Sequence, residues 1–192
     1  MRHIVLGSSS PFRRALLEKL AFPFDTCSPD VDESPIANET PQELVQRLAL
    51  KKAEAVALQH PSSLIITSDQ VSVLNGKING KPHTPENAIK QLTESSGNTV
   101  SFYTSLCLYD AQEKNYQLIV EPFFVHFRKL STQAIERYIE IESPLKCAGS
   151  FKSEGLGIAL FNRLEGDDPN TLIGLPLIRL INMLNKQGIH IP

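Results

Sequence analysis

Residues 3–20, HIVLGSSSPFRRALLEKL, join an apolar run to a glycine, three serines and a helix entered through Pro11. Proline suits the first position of a helix, where its missing N–H would have no partner, and Ser10 is placed to cap the helix. The stretch predicts a strand over 3–6 and a helix over 11–20. A strand that leads into a helix is the building unit of an α/β fold.

Arg13 and Arg14 lie in the first turn of that predicted helix. Cations at the electropositive end of a helix oppose its dipole and cost a few tenths of a kcal/mol or more each. Local stability therefore does not explain them, whereas a bound anion would.

The rest of the chain continues the α/β pattern. Further strands are predicted over 24–28, 63–68, 71–74, 99–109 and 116–127, with a hairpin turn at Asn75-Gly76. Further helices are predicted over 41–59, 85–95, 132–142 and 175–187. No repeat or linker interrupts the chain, so we expect one domain over 1–192, with two lobes around a cleft.

Composition limits the partners and the compartment. The net charge is −2 over 192 residues, so no global field attracts nucleic acid or a membrane surface. The three cysteines are far apart and odd in number, which is typical of reduced thiols. No segment approaches the roughly 20 apolar residues that cross a bilayer. We therefore expect a cytoplasmic protein.

The predicted helix over 41–59 starts with a capping box, Thr40-x-x-Glu43, and carries an apolar stripe. Lys52 falls near the middle of that stripe. Its ammonium either extends past the edge of the core to water or reaches a polar pocket at the end of the sheet, and the sequence leaves both open.

Charged residues follow several of the predicted strands. Asp69 comes directly after the predicted strand over 63–68, the segment PDVDESP supplies three acids after the strand over 24–28, and Lys81 precedes a proline. Ligands of α/β proteins gather where strand ends and their loops converge. Cations together with carboxylates suit a nucleoside triphosphate with Mg²⁺, because phosphates bind the cations and the metal binds carboxylate oxygen.

Seven ordered motifs resemble the Maf-like nucleoside triphosphate pyrophosphatase family: SSSPFRRALLEKL, PDVDESP, RLALKKAEAVA, SDQV, NGKP, CAGSFKSEG and EGDDPNTLIGLPL. The resemblance covers the whole chain. It implies an α/β fold with a long mixed central sheet flanked by helices, similar to inosine triphosphatases. It also implies hydrolysis of a nucleoside triphosphate to the monophosphate and pyrophosphate.

The resemblance assigns roles to individual residues. Asp69 matches the proton acceptor, and Arg13, Glu33, Lys52 and Lys81 match charged site residues. Ser8 and Asn170 resemble supporting contacts. The family also implies a divalent cation, Mg²⁺ or Mn²⁺, for which Glu33 and Asp69 are the expected ligands. Without the resemblance, Asp30 and Asp32 are equal candidates for the role given to Glu33.

Phe12, Gln70 and Glu154 depart from the commonest family pattern and resemble the branch that hydrolyses 7-methyl-GTP. An aromatic face attracts the cationic 7-methylguanine, and a carboxylate accepts hydrogen bonds from guanine. The alternative for Phe12 is a core anchor at helix positions 12, 16 and 20. Alternative functions are a dTTP/UTP pyrophosphatase and a non-catalytic nucleotide sensor. The apolar stripe of 175–187 is assigned to the core, with a homodimer contact as the alternative.

Overall fold

The computed structural model describes residues 2–192. Its strands are β1 (Ile4–Gly7), β2 (Asp25–Cys27), β3 (Leu64–Thr67), β4 (Gln70–Leu74), β5 (Lys77–Asn79), β6 (Thr99–Asp110), β7 (Asn115–Phe127) and β8 (Phe161–Glu165). Its α-helices are α1 (Pro11–Glu18), α2 (Pro41–Ala57), α3 (Pro85–Ser95), α4 (Thr132–Glu142), α5 (Pro169–Ile173) and α6 (Leu177–Lys186). Two short 3-10 helices cover Ala148–Ser150 and Leu156–Leu160.

The chain divides into two compact units, each assembled from separate segments. Unit 1 contains the chain up to Asp69 together with Thr104–Glu121 and Asp168–Pro192. Unit 2 contains Gln70–Tyr103 and Pro122–Asp167. Strands β6 and β7 contribute residues to both units.

The sheet of unit 1 has the strand order β2-β1-β3-β6. Strand β1 is parallel to β2 and β3, and β3 is antiparallel to β6. Every residue of β1 and β3 is buried, as expected of parallel strands covered on both faces. The predicted α/β class with a mixed sheet flanked by helices is confirmed.

Alternate side chains of these strands enter two different apolar clusters, because successive side chains of a strand point to opposite faces. Ile4, Leu6, Leu64 and Ile66 pack with residues of α1 and α6. On the other face, Val5 and Ile65 pack with the apolar stripe of α2. Helices thus cover both faces of the sheet in unit 1.

Gly7 ends β1 at a point where the chain has no room for a side chain. A methyl group at this position would lie 2.7 Å from Thr67 Cγ2 and 3.1 Å from Val56 Cγ2. The close approach brings the ends of the parallel strands β1 and β3 together. The serine loop after β1 and the Ser68-Asp69 segment after β3 therefore leave the same edge of the sheet.

In unit 2, β4 and β5 form the predicted hairpin, with Val73 opposite Ile78. Asn75 and Gly76 both have positive φ, of 50° and 76°, as the tight hairpin turn requires. The core of unit 2 contains four phenylalanine rings in edge-on contact, with centroids 4.8 to 5.7 Å apart: Phe102, Phe127, Phe151 and Phe161.

The sequence predicts α3 and α4 at their observed bounds, whereas α1 ends two residues early, at Glu18. Helix α6 begins at Leu177 instead of 175 because Pro176 occupies its N-cap. The sequence analysis did not predict β8 or α5. Both are five residues long, and only the first residue of β8 is buried, so neither displays a full period of apolar residues.

Across residues 2–192, no helix combines the length and the apolar character needed to cross a membrane.

Candidate active site

Ser10 caps α1, as predicted, because its hydroxyl accepts a hydrogen bond from the Arg13 backbone N–H at 3.3 Å. The side chains of the two arginines in the first turn have different partners. Arg13 Nε donates to the Gly174 carbonyl at 2.8 Å, whereas Arg14 pairs with Glu18 at the exposed surface. The bond through Nε is compatible with anion binding by the two terminal nitrogens of Arg13.

Asp69 is the second residue after β3 and is 8% exposed. Its backbone is held by Ser105, which is fully buried. The Ser105 hydroxyl accepts from the Asp69 N–H at 2.9 Å and donates to the Asp69 carbonyl at 3.2 Å, and the Ser105 N–H donates to the same carbonyl. The carboxylate is therefore presented from a fixed backbone.

Lys52 extends from the buried face of α2 and places its ammonium between two carboxylates. Its Nζ lies 2.6 Å from Asp69 Oδ1 and 2.7 Å from Glu33 Oε1. The side chains of Lys52 and Asp69 are 7% and 11% exposed, whereas that of Glu33 is 54% exposed. Lys52 thus reaches a polar site beside the end of β3 instead of water, the second of the two sequence-based alternatives.

The structure also distinguishes Glu33 from Asp32. The Asp32 carboxylate accepts two hydrogen bonds from Ser34, and these bonds lower the pKa of Asp32. Lys51 Nζ donates to the Asp32 carbonyl at 3.0 Å and so holds this loop against α2. Glu33 is the acid of the PDVDESP segment that pairs with Lys52.

The group in unit 1 is close to electrically balanced, with the cations Arg13 and Lys52 beside the carboxylates Asp69 and Glu33. Desolvation lowers the pKa of the Arg13 guanidinium, and the charges of Asp69 and Glu33 act in the opposite direction. The arrangement therefore tolerates two cations in a confined place and gives an incoming polyanion a pair of positive groups.

A family model described as Maf-like protein matches residues 3–187. The chain belongs to the Maf-like protein family. A protein named 7-methyl-GTP pyrophosphatase from Colwellia psychrerythraea (strain 34H) is 55% identical over 191 residues, with 100% of this chain and 96% of the relative covered. A protein of the same name from Pseudomonas aeruginosa is 54% identical over 192 residues, with 100% of both chains covered. Among solved structures, the Ham1 protein of Staphylococcus aureus matches with a TM-score of 0.48 and 17% identity, over 67% of this chain and 73% of that chain.

Three predicted site residues of this Maf-like protein lie in unit 2. Gln70 begins β4 and is half-buried, and Lys81 and Glu154 are exposed. The charges of Lys81 and Glu154 both act on the pKa of the Cys147 thiol, which burial raises. The participation of Gln70, Lys81 and Glu154 in substrate binding stays a prediction.

Ser8 and Phe12 flank the N-cap of α1. The Ser8 hydroxyl accepts from the Ser10 N–H at 3.2 Å, so it shapes the loop after β1. Phe12 is half-buried, and the apolar cluster around α1 contains Leu16, Leu17 and Leu20 without Phe12. The core-anchor role and the ligand-facing role of Phe12 both stay predictions.

Within residues 2–192, no group of three or more histidine, cysteine, aspartate or glutamate side chains could hold a metal ion by itself. Asp69 and Glu33, which share Lys52, provide two carboxylates. Magnesium in nucleotide enzymes is usually bound by one or two carboxylates together with substrate phosphates and water. The donor set fits a divalent cation that binds together with a triphosphate.

Two contacts of the site were not predicted from the sequence. The Gly174 carbonyl, which accepts a hydrogen bond from Arg13 Nε, also accepts one from the Ser68 hydroxyl at 2.9 Å. Asn170, a predicted supporting residue, accepts from Lys19 Nζ at 3.0 Å. The available signal was Gly174 itself, because a glycine in a loop before a helix often has a positive φ, and Gly174 has a φ of 125°.

Proposed function

We propose that this Maf-like protein hydrolyses 7-methyl-GTP to 7-methyl-GMP and pyrophosphate. The observation that carries the proposal is the placement of Lys52 between Asp69 and Glu33, with Arg13 at the end of the same sheet. The names of the two relatives, at 55% and 54% identity over this chain, supply the substrate.

The phosphates of the substrate would bind the cations of unit 1. Arg13 offers its terminal guanidinium nitrogens from a first helical turn whose backbone N–H groups also favour anions. Lys52 would exchange part of its contact with Asp69 and Glu33 for phosphate oxygen. Ser8 completes the proposed phosphate-binding set of unit 1, and Lys81 is a further proposed phosphate-binding residue.

A triphosphate brings more negative charge than two cations offset, and the site already contains two carboxylates. A divalent cation, Mg²⁺ or Mn²⁺, would supply the missing positive charge and polarise the phosphoryl oxygens. Asp69 and Glu33 would hold it once Lys52 turns to phosphate.

The chemical step is the attack of water on the α-phosphorus, with pyrophosphate as the leaving group. Asp69 is suited to take the proton from water because its carboxylate is buried and its backbone is fixed by Ser105. Its alternative role is that of a metal ligand only. Arg13 and Lys52 would offset the negative charge that builds on the leaving pyrophosphate.

Recognition of the base is assigned to Phe12, Gln70 and Glu154. The half-buried ring of Phe12 would stack on the cationic 7-methylguanine, a cation–π contact of about 0.5–2 kcal/mol. Glu154 would accept hydrogen bonds from the guanine edge, and Gln70 would adjust the neighbouring polar contacts.

A nucleotide panel tests the function. Pyrophosphate release is measured with 7-methyl-GTP, GTP, dTTP and UTP, in Mg²⁺, in Mn²⁺ and after chelation. We expect the highest kcat/KM for 7-methyl-GTP and loss of activity on chelation. A preference for dTTP or UTP would overturn the substrate, and tight nucleotide binding without pyrophosphate release would indicate a sensor.

Asp69→Asn tests the proton acceptor. We expect nucleotide binding to persist and pyrophosphate release to fall by at least roughly a hundredfold, the scale of general-base catalysis. Asp25→Asn is the matched control, because Asp25 is an exposed aspartate at the start of β2. Full activity of Asp69→Asn would exclude Asp69 from the chemistry.

We also propose that the protein acts in the cytoplasm on a small-molecule nucleotide, with neither nucleic acid nor a membrane as partner. Its three cysteines are free thiols, as a reducing compartment would keep them. A homodimer remains an alternative for sedimentation measurements to decide.

A further inference from the structure

One backbone oxygen in unit 1 connects two segments that carry candidate site residues. The Gly174 carbonyl accepts from Arg13 Nε at 2.8 Å and from the Ser68 hydroxyl at 2.9 Å. A carbonyl oxygen has two lone pairs, so these two donors use its full capacity. Ser68 immediately precedes Asp69 in the chain, and its side chain is buried.

The position of this oxygen is itself fixed. The Gly174 N–H donates to the carbonyls of Asn170 and Thr171, which closes α5. Asp168, which is 1% exposed, accepts from the backbone N–H groups of Asn170 and Ile178 at 2.8 Å each. The Asp168 carboxylate thereby ties the start of α5 to the first turn of α6, on either side of Gly174.

The backbone of Asp69, which follows Ser68 in the chain, is also held in place. Ser105 holds the Asp69 backbone through three hydrogen bonds. Ser68 is therefore the link between a fixed Asp69 and a fixed carbonyl, and Arg13 is anchored on that same carbonyl.

We propose that Ser68 is a positioning residue that fixes the Arg13 guanidinium relative to the Asp69 carboxylate. Loss of the hydroxyl leaves the Gly174 carbonyl with Arg13 as its remaining side-chain donor. The carbonyl then loses one of its two side-chain donors, so its position is held less tightly, and the guanidinium presents its terminal nitrogens to phosphate less accurately. This inference rests on the proposed function, because it assigns Arg13 to phosphate binding.

Ser68→Ala tests the role, with Ser63→Ala as the matched control. Ser63 is also a buried serine in unit 1, but it precedes β3 and bonds to His3 at 2.8 Å, at the other end of the strand. The probe is inorganic pyrophosphate, measured by calorimetry, because it lacks the base and reports on the phosphate contacts. We expect Ser68→Ala to weaken pyrophosphate binding and raise KM by about threefold to tenfold, the range of one hydrogen bond, and Ser63→Ala to change neither.

A double-mutant cycle decides whether Ser68 acts through Arg13. Arg13→Lys keeps the charge but removes the Nε–H donor. In that background we expect Ser68→Ala to add less than about a twofold change, because the anchored guanidinium is already absent. Equal fold-changes in both backgrounds would overturn the inference, and so would the same loss in Ser63→Ala.

Ser68→Cys keeps a side chain of similar shape with a weak donor, so an intermediate affinity is expected. It also replaces Ser68→Ala in the cycle if that variant does not fold.

The proposed function and the positioning role of Ser68 can fail independently. If no nucleotide is hydrolysed but pyrophosphate binding follows the cycle as expected, the proposed function is wrong and the positioning role stands.

Discussion

Lys52→Met removes the ammonium between two carboxylates and keeps most of the length of the side chain. Lys52 Nζ contacts Asp69 and Glu33 at 2.6 and 2.7 Å. The two acids differ in exposure, so they respond differently to its loss. Glu33 is 54% exposed and can be solvated by water. Loss of its ion pair with Lys52 therefore costs about 0–1 kcal/mol of unfolding free energy, as for a surface pair.

Most of the destabilisation expected of Lys52→Met comes from Asp69, because its side chain is only 11% exposed. Breaking a buried pair by removing one partner costs about 3–5 kcal/mol, since a charge is left uncompensated. Because the Asp69 side chain keeps 11% exposure, we expect a loss of about 3 kcal/mol in the free energy of unfolding at neutral pH, the lower end of that range. For a chain of this size the loss corresponds to a fall in Tm of roughly 6–12 °C.

Thermal unfolding followed by circular dichroism, with urea unfolding beside it, measures the loss. Lys51→Met is the matched control. The Lys51 ammonium donates to the Asp32 carbonyl near the surface, so we expect a Tm close to that of the wild type. Adding Asp69→Asn to Lys52→Met should recover most of the stability, because the buried charge is removed as well. A Tm within about 2 °C of the wild type for Lys52→Met would refute the buried-charge argument.

Three further predictions concern other parts of the molecule. Gly7→Ala should lower stability by about 1–3 kcal/mol in urea unfolding, because the added methyl group overlaps its neighbours, whereas Gly80→Ala has open space and should be nearly neutral. The Arg2 guanidinium holds the pKa of the Asp110 carboxyl below its usual range. The pair therefore stabilises the fold above about pH 4, and this contribution is lost as the pH falls through the lowered pKa. Asp110→Asn should therefore lower Tm more at pH 7 than at pH 3, and equal losses would contradict the assignment. Phe12→Ala should reduce the kcat/KM ratio of 7-methyl-GTP to GTP by about 2-fold to 30-fold, and an unchanged ratio would exclude stacking.

Local pattern was sufficient for the parts of the site that lie on regular elements. The helical period placed Lys52 on the buried face of α2, and the apolar run before Asp69 placed that acid at the end of a buried strand. Ser10 was assigned as a cap from its position before Pro11. Each of these inferences uses residues that are neighbours in the sequence.

Contacts between distant residues could not be obtained in this way. The Arg13 contact with Gly174 joins positions 161 residues apart, and no periodicity reports it. The choice of Glu33 over Asp32 depends on Ser34, which engages the Asp32 carboxylate within the loop. The roles of Gln70, Lys81 and Glu154 rest on family resemblance and stay predictions.

The interleaving of the two units constrains how the protein can fold. The chain passes between them at 69/70, 103/104, 121/122 and 167/168, so neither unit can be excised as one continuous fragment. The apolar cluster that contains Ile4 and Leu6 also requires Leu180 and Leu184. Strand β1 is consequently synthesised long before α6, the helix that covers it. This core can form only through contacts between residues far apart in the sequence, and such a topology slows folding.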